Sequence, residues 1–260
     1  MRKNTMKEKL RAGGTVFGFA VAGTSYPELA HAYAQAGFDF LLIENEHFPL
    51  SLESDQQLIR ACRAAGIPAI VRVPDAEYHL VARTLDTGAD GVIVPRVEGP
   101  QRAAEVVSWV KYPPQGRRGY GVGPLLYDYE TVPLPEAMRH FNENTVAIVQ
   151  AETLPAMASI EQMAAVEGLD AIMIGPADLS ISLGIPGEFR APAFVEQVER
   201  VVSACARAGI ASGIFCGDLD LLKTYIEMGM RCFSCGGEIG LIRSAAADLV
   251  KRLHSLLASA

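Results

Sequence analysis

The sequence predicts a closed parallel α/β barrel, and three observations carry that prediction. Short apolar runs alternate with helical patterns eight times from end to end. Four helical patterns stop on nearly the same phrase: Ala36-Gly37-Phe38-Asp39, Ala65-Gly66-Ile67-Pro68, Thr87-Gly88-Ala89-Asp90 and Ala208-Gly209-Ile210-Ala211. Glycine just past a helix end takes the left-handed cap, and the following apolar residue leads into a strand. Finally, 260 residues, 50% of them hydrophobic, match the size of one barrel with one large core.

In chain order, strands are expected at Thr15 to Val21, Asp39 to Glu44, Pro68 to Val73 and Gly91 to Val97, then at Thr145 to Glu152, Ala171 to Ile174, Ala211 to Cys216 and Arg231 to Cys235. These are apolar runs of the kind that parallel, fully buried strands require. Helices are expected at Tyr26 to Ala36, Leu52 to Ala65, Tyr78 to Thr87, Gln101 to Trp109, Pro155 to Val166, Ala193 to Ala208 and Asp218 to Met228, closing with Gly240 to Leu257. Eight such units make a (β/α)8 barrel, the TIM-barrel architecture, as one domain over residues 1–260. The rhythm breaks only at Lys111 to Asn144, read as a loop forming a lid or subunit contact over the barrel rim. Its Gly119-Tyr-Gly-Val-Gly123 follows a helix rather than a strand and lacks the spacing of a nucleotide loop.

Composition removes several function classes. A formal charge of -7 and no basic run longer than Arg117-Arg118 argue against nucleic acid. No apolar stretch approaches the roughly 20 residues of a membrane helix, and Met1 to Leu10 lacks the apolar segment of a signal peptide. A cytoplasmic protein is expected. The five cysteines are odd in number and read as reduced core thiols; Cys232 and Cys235 fall in one strand, three apart, and so face opposite ways.

Barrel enzymes put their chemistry at the C-terminal ends of the strands. The fifth and sixth strands each deliver one carboxylate where the apolar run stops, Glu152 and Asp178. Adjacent strands then present two oxygen ligands on one rim, which suits a hard divalent cation; the plainer reading is an acid facing an arginine. Arg72, inside an apolar strand, either neutralises an acid or offers its planar fork to a carboxylate or enolate oxygen. His47 is either an exposed loop histidine or a proton carrier with Glu44 as orienting acceptor. Gln150 ends in the same mouth; Arg96 faces either a lid or a neighbouring subunit. The small residues of Gly175-Pro176-Ala177-Asp178 turn backbone N–H groups into the mouth, where a substrate carboxylate fits. No nucleophilic triad motif and no strand-end lysine offers covalent chemistry, so a metal-assisted reaction is expected.

Several ordered motifs together resemble the HpcH/HpaI group of metal-dependent pyruvate aldolases. They run from Ala36-Gly-Phe-Asp-Phe-Leu-Leu-Ile-Glu-Asn-Glu-His47 through Val71-Arg-Val-Pro74, Leu85 to Pro95, Tyr112-Pro-Pro-Gln-Gly-Arg-Arg-Gly119, Gln150-Ala-Glu-Thr153 and Gly175-Pro-Ala-Asp-Leu-Ser180 to Ser182-Leu-Gly-Ile-Pro-Gly187. The resemblance covers nearly the whole chain. It implies that Glu152 and Asp178 hold Mg²⁺, Mn²⁺ or Co²⁺, that Arg72 stabilises the pyruvate enolate and that His47 handles protons with Glu44 behind it. It further implies that Asp86 reaches a neighbouring subunit's site, that Gln150 lies beside the substrate, and that the chain forms a hexamer, a trimer of dimers exchanging the last helix, Gly240 to Leu257. Two positions depart from the family pattern: Glu44, where Asp is commoner, and Arg96, where an apolar residue often stands.

The activity so implied is reversible cleavage of a 4-hydroxy-2-oxo acid into pyruvate, or a related 2-oxo acid, and an aldehyde. The alternatives are an acyl-CoA lyase or 2-oxo-acid decarboxylase on the same scaffold, or a non-catalytic binding homologue. No clear basic site for a CoA adenosine phosphate is present, and the intact Glu152, Asp178, Arg72 and His47 set argues against lost catalysis.

Overall fold

The structure is a computed structural model that describes residues 1–121 and 123–258; Val122, within the Gly119 to Gly123 stretch, and Ser259 and Ala260 lie outside the described residues. The chain runs α1 (Thr5–Arg11), β1 (Val16–Val21), α2 (Glu28–Ala36), β2 (Phe40–Glu44), α3 (Leu52–Ala65), β3 (Ala69–Arg72), α4 (Tyr78–Asp86), β4 (Gly91–Val94) and α5 (Pro100–Val110). It continues with α6 (Leu134–Asn144), β5 (Val146–Ala151), α7 (Leu154–Ala158), α8 (Ile160–Ala164), β6 (Ala171–Ile174) and α9 (Pro176–Ser182). The remainder is α10 (Pro192–Ala208), β7 (Ala211–Phe215), α11 (Leu219–Glu227), β8 (Cys232–Gly237) and α12 (Glu238–Ala258). All eight strands pair in parallel in the order β1 to β8, and β8 returns to β1 to close the barrel. The (β/α)8 expectation is met, with Gly37, Gly66 and Gly209 in the left-handed caps that end α2, α3 and α10.

Strand periodicity builds two apolar layers and aims the polar ends. Phe40, Leu42, Ile70, Ile93, Ile148, Met173 and Cys232 fill the barrel interior, while Leu41, Ile43, Val71, Val149 and Ile172 pack outward beneath the helices. Counting on by twos, Glu44, Arg72, Gln150 and Glu152 follow the inward set, so parity alone sends them into the mouth. The β2–β3 register then sets Glu44 directly beside Arg72.

Three differences from the sequence reading have physical causes. The helix α1 has only two apolar residues to bury, Met6 and Leu10, one turn apart and too few for a periodic signal; both join the barrel-interior cluster. Lys111 to Asn144 is not all loop, since α6 occupies its second half. Nor does it cover the mouth as a lid. Helices run back antiparallel to the strands, and Arg118 bonds Asp86 (2.7 Å) at the end of α4 while Asp128 bonds Arg63 (2.5 Å) at the end of α3, which puts this segment at the opposite face of the barrel. The cysteines are all free; Cys62, Cys205 and Cys232 are core thiols, whereas Cys216 and Cys235 are only half-buried. No helix among the described residues is long and apolar enough to cross a membrane.

The last helix stands apart. Every residue of α12 from Ile239 to Leu257 is exposed, among them Leu241, Ile242, Leu249, Val250, Leu253 and Leu256. An amphipathic helix with both faces in water leaves apolar area uncovered that a partner surface would bury.

One buried acid anchors the loop after β2. Asp55 in α3 is 1% exposed and accepts from Asn45 Nδ2 at 2.6 Å, while its other carboxylate oxygen has no partner. Burial pushes its pKa up to about 6, with the Asn45 bond pulling the other way. A carboxyl whose folded pKa lies above its unfolded value binds the proton more tightly when folded, so stability falls as pH rises from about 4 to about 6. Asp55→Asn is therefore expected to raise the melting temperature at pH 8, by an effect on the order of 1–3 kcal/mol, and to have little effect near pH 4. Thermal unfolding at the two pH values checks this; equal shifts at both would refute the titration argument.

Candidate active site

The mouth is organised around Arg72. Its side chain is 11% exposed; Nε donates to Glu44 Oε2 at 2.5 Å, Nη1 donates to Gln150 Oε1 at 3.2 Å, and the guanidinium lies over the Phe215 ring at 4.8 Å. Nη1 also sits 2.9 Å from Glu46 Oε2, close enough for an ion pair, although that oxygen has no aligned hydrogen bond. Nη2 has no protein partner among the described residues. Nε and Nη1 are thus held by the protein, and Nη2 is left for a ligand oxygen.

Glu44 is fully engaged. Besides Arg72, its Oε1 accepts the backbone N–H groups of Glu46 (2.8 Å) and His47 (3.2 Å). Glu44 was expected to orient the His47 ring; instead it fixes the loop backbone, because both of its oxygens are already taken. The imidazole is 56% exposed, and its Nε2 lies 3.7 Å from Glu46 Oε2. Glu46 is the site residue that sequence reasoning missed. Its carboxylate is 7% exposed, and burial raises its pKa, Arg72 opposing that rise and Glu152 adding to it. The signal was the spacing: Glu46 is two residues beyond Glu44, on the face parity aims inward.

Glu152 lies at the end of β5, 2% exposed. Gln150 Nε2 donates to its Oε2, and the Arg96 backbone N–H donates to Oε1 at 2.8 Å. Arg96 makes that contact from a left-handed backbone (φ 54°) with its own side chain in solvent, the kind of strain that recurs at functional sites. Burial raises the Glu152 pKa and the charge of nearby Asp178 adds to it, against the two hydrogen bonds. Asp178, half-buried, stands in the first turn of α9 rather than on a bare turn. Pro176 has no N–H, and the N–H groups of Ala177 and Asp178 head the helix without intrahelical acceptors. Gly175 permits the whole arrangement. A Cβ there would overlap Glu152 Oε2 and lie 2.6 Å from Gln150 Nε2.

The structure therefore brings Glu44, Arg72, Gln150, Glu152, Gly175, Ala177 and Asp178 to one mouth, with His47 at its rim. It does not bring Asp86 there. Asp86 ends α4 at the far face, bonded to Arg118, so within one chain it is remote from the others. Buried Glu152, its proton affinity raised by burial and by the charge of Asp178, forms with that half-buried acid a donor set that a divalent cation would neutralise. Among the described residues no group of three or more His, Cys, Asp or Glu is placed to hold a metal; Glu152 and Asp178 are the two carboxylates that adjacent strands bring together as oxygen donors.

The family model described as HpcH/HpaI aldolase/citrate lyase matches residues 19–245. The hydroxypyruvate/pyruvate aldolase of Deinococcus radiodurans is 34% identical, covering 95% of this chain and 88% of its own. The 4-hydroxy-2-oxovalerate aldolase of Rhodococcus jostii is 36% identical over 96% and 95%. In structure, the HpcH/HpaI aldolase from Desulfitobacterium hafniense superposes with a TM-score of 0.90 at 32% identity, over 95% of this chain and 96% of that one. With its closed barrel and a family match over most of its length, this chain belongs to the HpcH/HpaI aldolase/citrate lyase family and is a carbon–carbon lyase.

Proposed function

We propose that the protein is a class II aldolase that reversibly cleaves a 4-hydroxy-2-oxo acid into pyruvate, or a related 2-oxo acid, and an aldehyde. The observation that carries this is the convergence of Glu152, Asp178 and the free Nη2 of Arg72 on one mouth. Glu152 and Asp178 would hold a divalent cation, Mg²⁺, Mn²⁺ or Co²⁺, which would supply Lewis-acid polarisation of the 2-oxo group. Arg72 Nη2 donates to the oxygen that becomes the enolate, and Gln150 keeps both Arg72 and Glu152 in register. The N–H groups beside Gly175 at Ala177 and Asp178 receive the substrate carboxylate. In cleavage His47 takes the proton of the 4-hydroxyl, the C3–C4 bond breaks, its electron pair passes into the enolate, and the aldehyde leaves; a proton then returns to C3 to give the methyl of pyruvate. The exposed apolar length of α12 supports a trimer of dimers that exchange this helix, in which Asp86 would serve a neighbour's mouth. The whole chain acts as one barrel domain in the cytoplasm.

The test is deuterium exchange into the pyruvate methyl group, followed by a screen of aldehydes with pyruvate and hydroxypyruvate across the three metals. Metal-dependent exchange with aldol product is expected; no exchange with any metal would remove the aldolase reading. Arg72→Lys refines it. Lysine keeps the charge but cannot fill Glu44, Gln150 and an enolate oxygen from one rigid plane. Turnover is expected to fall by about 10²–10³-fold, comparable to losing one oxyanion donor. Kinetics within about twofold of wild type would make Arg72 a structural counter-ion only.

A further inference from the structure

At the end of the barrel opposite the mouth lies a cavity of about 630 Å³, lined by Lys7 and Arg11 of α1, by Lys111 and Asn142 of the segment between β4 and β5, and by Asp170 and Arg231 before β6 and β8. Its charges do not balance. Lys7 and Lys111 are each 3% exposed and share one acceptor, the Thr145 carbonyl, at 2.7 and 3.0 Å. Lys7 has an acid partner, Asp170 Oδ2 at 2.8 Å, and that carboxylate oxygen also takes the Ala147 N–H at 2.9 Å. Lys111 has none within ion-pair distance among the described residues; its other bond goes to the Asn142 carbonyl at 2.7 Å. An ammonium group has three donors, so each lysine keeps one N–H in reserve.

Arginines add to the surplus. Arg231 is held by the Leu10 and Ile210 carbonyls at 2.7 and 3.1 Å, neither of which neutralises it. Arg11 is exposed at the cavity edge and makes no side-chain hydrogen bond or ion pair among the described residues. Glu143 and Glu167 line the cavity too; like Arg11 they are exposed, so solvent screens all three and the surplus that matters is that of buried Lys111 and half-buried Arg231. Buried charge is normally paired.

We propose that this basal cavity is a binding site for a small multivalent anion of the polycarboxylate or phosphate type, separate from the catalytic mouth. The anion accepts the reserve N–H groups of Lys7 and Lys111 and closes against Arg11. Without it, burial and the charge of Lys7 push the Lys111 ammonium down to about 7, as expected of a cation lacking a counter-charge. The cavity is large enough for a metabolite-sized anion rather than a single inorganic ion alone.

Isothermal titration of the metal-loaded protein tests this with two probes that chelate metals weakly, sulfate and tricarballylate. One-to-one binding is expected, tighter for tricarballylate. Arg11→Ala should weaken it about tenfold, the usual effect of losing a hydrogen bond to a charged group, and Lys111→Met should weaken it further. Arg72→Ala, which empties the anion-binding edge of the mouth, should leave this binding unchanged. Since Lys111 ties two carbonyls and its variant risks misfolding, the exposed Arg11 decides the matter. Absence of binding at about 50 mM of either probe, binding that Arg11→Ala leaves intact, or binding that Arg72→Ala removes would each overturn the proposal.

Discussion

Glu152→Ala and Asp178→Ala are each expected to abolish metal-dependent turnover while the barrel stays folded. Glu152 is buried, and two of its neighbours, the Gln150 amide and the Arg96 N–H, are spent on holding it. Removing its carboxylate leaves those donors and Asp178 in place but halves the protein ligand set. A cation held by one carboxylate and water binds too weakly for ordinary concentrations to load the site. The readouts are circular dichroism for the fold, metal content after chelation and add-back, and aldol cleavage. Full activity in either variant after exhaustive chelation and add-back would remove the central claim. Gly175→Ala is a companion test. It deletes no ligand, yet its methyl overlaps the Glu152 carboxylate, so it should displace that group and lose most activity. Wild-type turnover in Gly175→Ala would show that Glu152 can move without consequence, which a metal ligand cannot.

Most of the barrel was legible because parallel strands are buried on both faces and announce themselves as apolar runs, and because glycine caps mark where helices turn back. Glu44, Arg72, Gln150 and Glu152 were legible as polar residues closing those runs. What was not legible depends on the third dimension. Nothing in the Lys111 to Asn144 stretch says at which end of the barrel it folds; Arg118 on Asp86 decides that, a contact between residues 32 apart. The Met6 and Leu10 plug is too short to show a period. Glu46 was passed over because Glu44 and His47 flank it and matched a familiar acid–imidazole spacing, whereas the folded loop spends Glu44 on Arg72 and backbone and leaves Glu46 nearest the ring.

His47→Ala is expected to lose most aldol cleavage, about 10²–10⁴-fold, the usual contribution of a general acid or base, while oxaloacetate decarboxylation, which the same enolate site would support, is expected to fall much less. The two reactions share the acids, Arg72 and the enolate. They differ in one proton: cleavage must take it from the 4-hydroxyl, whereas decarboxylation loses carbon dioxide and abstracts none. The ring is exposed at the rim, 3.7 Å from Glu46, and under the proposed reading it takes the proton of the 4-hydroxyl. The measurement is the ratio of the two activities in His47→Ala against wild type. A large fall in the ratio assigns proton transfer to His47. A ratio that does not move means that His47 only shapes the loop held by Glu44; the proton carrier would then be sought at Glu46, whose buried carboxyl has a raised pKa, or at Asp86 of a neighbouring subunit. Glu46→Gln separates these two. It keeps the shape beside Arg72 but removes the base, so an unchanged ratio in that variant as well leaves Asp86, and a mixed oligomer of Asp86→Ala and His47→Ala chains becomes the deciding experiment.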